Sequence, residues 1–121
     1  MYNKGLLYSF KYAFEGIYYG LKYNRNLRLH FIAAILVIIA SIYFKVNAFE
    51  MGILGVMILL VICTEMIKTA IEEMVDLIIS EHRQQAKIAK DVSAGMVLLA
   101  ALGSIIVGFL VFVPHILKLL R

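Results

Sequence analysis

The chain has 121 residues, 63% hydrophobic and 17% charged, with a net charge of +4, one proline and no tryptophan. A mean hydropathy of +0.90 indicates one integral membrane domain over residues 1–121 and excludes an ordinary soluble globular protein. The single cysteine, Cys63, excludes an intrachain disulfide and thiolate-rich metal sites, and reads as a small apolar packing residue.

Residues 5–23, GLLYSFKYAFEGIYYGLKY, place Leu6, Phe10, Ala13, Phe14, Ile17 and Leu21 at steps of three and four, which lines one face of a helix. Lys4, Lys11, Lys22 and the tyrosines suit headgroup level, so the segment is expected to be an amphipathic helix on the membrane surface. The alternative is a soluble-side helix packed on the other spans. The stretch YNRN, 23–26, marks a turn, asparagine being tolerant of turn geometry.

Three apolar segments follow, at 27–44, 49–79 and 91–120; about 20 apolar residues suffice for a transmembrane helix. The first is not expected to be a secretory signal, since it begins far in, lacks an A-x-A-like exit and precedes further spans. Residues 47–50 form a tight connection between the first two spans, and SEHRQQAKIAKD, 80–91, is expected to be a loop. The fold class is thus all-α: an N-terminal amphipathic surface helix and three transmembrane helices.

Lys4, Lys11, Lys22, Arg25 and Arg28 precede the first span, and Arg83, Lys87 and Lys90 lie between the second and third. The positive-inside rule puts these segments in the cytoplasm and the C-terminus outside an inner or plasma membrane. Because the basic residues flank spans, nucleic acid is not an expected partner.

The second span ends in CTEMIKTAIEEMVDL, 63–77. At 100° per residue, Glu65, Lys68, Glu72 and Asp76 share one narrow sector, joined by Thr69, with Glu73 turned aside. Three explanations compete: a solvated helix end, internal salt bridging around Lys68, or a face turned to a bundle interior for chemistry. Ionisable groups at membrane depth are costly and by default functional, and Glu65, directly after a long apolar run, favours the last. Lys90 and Asp91 lie at the start of the third span, where a helix start favours anions and lysine supplies a point charge to phosphate. With the carboxylates they suggest a site for a metal-bound polyphosphate, though no Walker A motif, kinase-type glycine loop or HExxH is present.

RNLRLHFIAA (25–34), TAIEEMVDLI (69–78) and AKIAKDVSAGMVLLAA (86–101), in this order and spacing, resemble the small prokaryotic diacylglycerol kinase family, which includes the undecaprenol kinases of Gram-positive bacteria. The resemblance implies a homotrimer whose members transfer the γ-phosphoryl of MgATP to a membrane lipid alcohol, undecaprenol or diacylglycerol, at the cytoplasmic interface. By motif position it implies Glu65 as the base, Glu72 as a metal ligand, and Asp76, Glu81, Lys90 and Asp91 on the nucleotide side. Two positions depart from the pattern. Asn24 stands where the family usually has a metal-holding Glu, and Lys68 where it usually has Asn. Each raises the charge by one, together the charge of one Mg²⁺, so Lys68 between Glu65 and Glu72 is expected to replace a divalent ion in part. ATP and Mg²⁺ remain the implied cofactors. A catalytically impaired member that binds lipid or regulates an active kinase is the alternative. A small transporter or channel subunit would account for the stripe but gives Lys90 and Asp91 no role.

Overall fold

The computed structural model describes residues 5–78 and 83–121, which form four helices and no strand. They are α1 (Leu6–Tyr23), α2 (Arg25–Tyr43), α3 (Ala48–Ile78) and α4 (Gln84–Leu119). The last three are each long and apolar enough to cross a membrane, and the chain is a multi-pass membrane protein. At 1.5 Å per residue, the 31 residues of α3 and the 36 of α4 exceed the ~30 Å hydrocarbon layer. The polar end of α3 and the first turns of α4 therefore project beyond it.

The helix boundaries have local causes. Only Asn24 separates α1 from α2; its extended backbone (φ −111°) interrupts the helix, and its side chain restarts it by accepting from the N–H groups of Asn26 and Leu27. Arg28 Nη1 donates to the carbonyls of Leu21 and Lys22 at 2.9 Å each, covering the open end of α1. At the other turn, Lys45 takes a left-handed conformation (φ 55°). Lys45 N–H then donates to Ile42 and Val46 N–H to Ser41, the Schellman closure of α2. Asn47 and Glu50 next cap the start of α3 reciprocally, at 2.8 and 3.0 Å.

The start of α4 differs from expectation: residues 84–91, read as loop, are helical. The segment has neither glycine nor proline, it is rich in good helix formers, and Lys87 pairs with Asp91 one turn on at 2.6 Å.

Packing centres on α3. Leu27, Ala34 and Ile62 form the buried contact between α2 and α3, with Leu21, Phe31, Ile58 and Met66 around it. The buried positions of α4 are Ala86, Ser93, Val97, Ala100 and Val111, small or β-branched residues that let membrane helices approach closely. Leu27 is wholly buried and lies over Gly20, where a Cβ would stand 2.6 Å from its Cδ2. This glycine allows the α1–α2 corner to close.

The apolar residues Leu6, Phe10 and Phe14 of α1 stay exposed, uncovered by the spans, which favours the surface helix over one packed on them. Cys63 is also exposed, contrary to the packing role expected of it; it lies on the face of α3 turned from its neighbours.

The backbones of α2 and α4 do not approach each other closely. An apolar groove of about 290 Å³ lies between them, floored by Leu54, Met57, Ile58 and Val61 of α3 and flanked by Ala33, Val37, Ala101, Ile105 and Gly108. Phe112 lines one end, and the Phe44 ring lies 6.0 Å from Phe112 and 6.4 Å from His115. His115 meets Glu50 at 3.2 Å, tying the start of α3 to the end of α4. His30 lines the opposite end.

Candidate functional site

Glu65 lies behind His30 at that opposite end, its Oε1 3.6 Å from the His30 Nε2. It is only 1% exposed, yet it carries a carboxylate, so its partners decide whether it can be there. Asn24 Nδ2 donates to its Oε2 at 3.1 Å and also to Thr69 Oγ1, while Thr69 Oγ1 donates to the Glu65 carbonyl at 3.0 Å. The Lys68 ammonium lies 3.2 Å from the same Oε2. His30 Nε2 faces Oε1 at 3.6 Å. Among the described residues no buried side-chain nitrogen or oxygen lacks a hydrogen-bond partner.

Lys68 continues the stripe, its ammonium also lying 3.2 Å from Glu72 Oε1. The internal salt bridging and the inward-facing carboxylate are therefore both present, on successive turns. Farther along, Asp76 Oδ1 accepts from Lys90 Nζ at 2.6 Å, joining α3 to α4. Asp91 pairs instead with Lys87. Adjacent residues of a helix diverge by 100°, so Lys90 and Asp91 engage different partners. Glu81 lies outside the described residues.

Beside the stripe is a polar cavity of about 320 Å³, lined by Tyr19, Tyr23, Asn24, Arg25, Asn26, Thr69, Glu72 and Glu73. The Tyr19 hydroxyl donates to Glu73 Oε1 at 3.4 Å. The neighbouring Glu73 charge, with some desolvation, raises the Tyr19 phenol above its ordinary value. Glu73 itself is exposed, as a solvated helix end would be. Asn24, Thr69 and Glu65 separate this cavity from the apolar groove, and His30 faces the groove from the same carboxylate.

Sequence reasoning overlooked His30. The signal was available, because a histidine in an apolar span invites the same question as Glu65.

An apolar groove lined at one end by His30 and a polar cavity lined by Asn24 lie on either side of Glu65, and both residues face its buried carboxylate. A divalent ion held between Glu65 and Glu72 does not fit this arrangement, because the Lys68 ammonium stands between their oxygens. Nor do the described residues contain a cluster of three or more His, Cys, Asp or Glu arranged to hold a metal.

Residues 11–112 match the family model described as prokaryotic diacylglycerol kinase. The chain is 39% identical over 116 residues to a protein named diacylglycerol kinase from Synechocystis sp. (strain ATCC 27184 / PCC 6803 / Kazusa), covering 95% of this chain and 66% of that protein. It is 37% identical over 108 residues to a protein named undecaprenol kinase from Bacillus subtilis (strain 168), covering 89% of this chain and 88% of that one. The chain thus spans just under two thirds of the Synechocystis relative.

Proposed function

The chain belongs to the prokaryotic diacylglycerol kinase family, and from that premise we propose that it is an ATP-dependent lipid kinase acting on undecaprenol or diacylglycerol at the cytoplasmic membrane face. The acceptor's chain lies in the groove between α2 and α4, and its hydroxyl reaches Glu65. That carboxylate takes the hydroxyl proton as the oxygen bonds to the γ-phosphorus and the bond to the leaving diphosphate breaks. The nucleotide phosphates lie on the polar side, where Lys90, released from Asp76, meets them and Asp76 and Asp91 border the nucleotide. Phosphoryl transfer needs mainly positioning and charge neutralisation, with a base near the attacking hydroxyl.

The observation that carries this reading is the place of Glu65, a buried carboxylate facing both His30, which lines the apolar groove, and Asn24, which lines the polar cavity. A homotrimer, in which a neighbouring subunit completes the nucleotide side around the exposed Asp76 and Lys90, belongs to this reading through the family resemblance alone. The lysine and arginine distribution supports a cytoplasmic N-terminus.

A second reading, a lipid-binding or regulatory member without transfer activity, is favoured by one observation. Glu65 Oε2 already faces two nitrogen donors, Asn24 and Lys68, and one must yield before that oxygen can accept a proton. The test is a phosphorylation assay on the purified chain with ATP and Mg²⁺, offering each lipid separately, beside the Asn24→Glu/Lys68→Asn double variant. Labelled lipid phosphate, lost in Glu65→Gln, is expected. No transfer to either lipid by either protein refutes the kinase. Binding of lipid by the native chain without transfer, with activity in the double variant alone, establishes the second reading.

A further inference from the structure

Lys68 is three residues after Glu65 and four before Glu72, so one helix fixes the ammonium between both carboxylates. The distances are equal, 3.2 Å to Glu65 Oε2 and 3.2 Å to Glu72 Oε1. The lysine side chain is 13% exposed and the Glu65 side chain 1%, so water screens the first contact little. Around Glu65 every neighbouring polar side chain can donate: Asn24 and Lys68 at Oε2, and His30 at Oε1. Farther along the stripe Glu72 and Asp76 are both acidic, Glu72 meeting Lys68 and Asp76 meeting Lys90 of α4. The site therefore carries its own compensating cation.

Magnesium coordinates oxygen at about 2.0–2.1 Å in a near-octahedral shell. An ion bridging Glu65 and Glu72 would need the space the ammonium fills. Bound to either inner oxygen instead, it would lie within a few ångström of a fixed positive charge, screened least at the buried Glu65.

We infer that Lys68 is the resident cation of this site: its tethered ammonium takes the place of a protein-bound divalent ion between Glu65 and Glu72. Any divalent ion then arrives with the phosphate donor and leaves with it. The functional meaning rests on the kinase reading, but the occupancy of the site does not.

The test measures Mn²⁺ binding to the full chain in lipid nanodiscs, without nucleotide, by electron paramagnetic resonance. The native protein is expected to show no saturable site at Glu72. Lys68→Asn should gain one, tightened about tenfold or more by removal of a fixed cation a few ångström away. Adding Glu72→Gln should abolish the gain. Should Lys68→Asn fail to fold, Lys68→Gln serves the same comparison. The native chain also supplies its own measurement, because its thermal midpoint should not rise with Mg²⁺. Saturable Mn²⁺ binding by the native protein that Glu72→Gln removes would overturn the inference, as would the absence of any gain in a folded Lys68 variant. A native chain that binds no Mn²⁺ at Glu72, with the gain in the variant, supports the inference even if no lipid is phosphorylated. Robust phosphorylation together with a native Glu72 metal site leaves the kinase standing and removes the resident cation.

Discussion

Asn24 and Glu65 lie 41 residues apart and meet at 3.1 Å, Nδ2 to Oε2, while the same asparagine caps α2 through its Oδ1. One amide thus both begins a span and helps satisfy a buried carboxylate in the next. Replacing it separates the two roles. Asn24→Ser keeps a capping oxygen but not the reach to Glu65, whereas Asn24→Ala loses both. The alanine variant should be less stable than the serine variant by about 1 kcal/mol, the ordinary worth of a cap. Serine should in turn fall below the native chain by about 1–3 kcal/mol, for a donor lost to a buried acceptor. Unfolding equilibria in detergent micelles check the order.

Gly20→Ala places a methyl group against Leu27, which is fully buried and has little room to move. Overpacking of this kind destabilises by about 1–3 kcal/mol. Combining it with Leu27→Ala should be less damaging than the two single effects added together, because the clash vanishes with its partner. A double-mutant cycle on thermal unfolding would show the coupling.

Glu65→Gln preserves shape while removing the proton acceptor. If Glu65 is the base, transfer to lipid should fall about 10²–10⁴-fold, with the KM for ATP little changed. Steady-state kinetics in mixed micelles distinguish this from a general loss of binding.

The groove predicts a separation of the two substrates. A Cβ at Gly108 would meet nothing within 4 Å, so Gly108→Leu should fold while filling part of the apolar recess. The KM for the lipid acceptor should rise about tenfold, the scale of a few methylenes in an apolar pocket, and that for ATP should stay put. Equal changes in both would argue against a lipid-chain groove.

Tyr19 offers a pH readout on α1, outside the spans. Its phenol titrates above the ordinary value because of the Glu73 charge, and Glu73→Gln should bring it back down. As the folded value is the raised one, the associated stabilisation is present below the ordinary phenol range. It is lost as pH rises through the folded value. Carbon NMR of labelled tyrosine follows the ionisation directly.

The helices were legible because spans of this length have little choice: apolar runs announce them, and the YNRN turn at Asn24 and the connection beginning at Asn47 mark two of their boundaries. The stripe on α3 was legible too. Lys68 meets both carboxylates where a 100° rotation puts it. What could not be read was contact between helices. That Asn24 reaches Glu65, that His30 faces it, and that Glu50 meets His115 all depend on how α1, α2 and α4 settle against α3. The same holds for Cys63, whose exposure depends on which face of α3 the neighbours take. The early start of α4 was hidden for a different reason: charge made residues 84–91 look like loop, although their helix propensity was high.

The Glu65–Lys68–Glu72 ladder lies wholly within α3. Its charges can pair as soon as that helix winds, before any other span is in place. A charged residue at the centre of a membrane helix costs about 2.5–3.5 kcal/mol to insert, and the ladder shares its charges while α3 is still alone. A helix that carries these two carboxylates thus faces the bilayer with a net charge of −1 over the three residues rather than −2, even before its neighbours arrive. Asn24 and His30 then close on a segment whose carboxylate charge is already half offset.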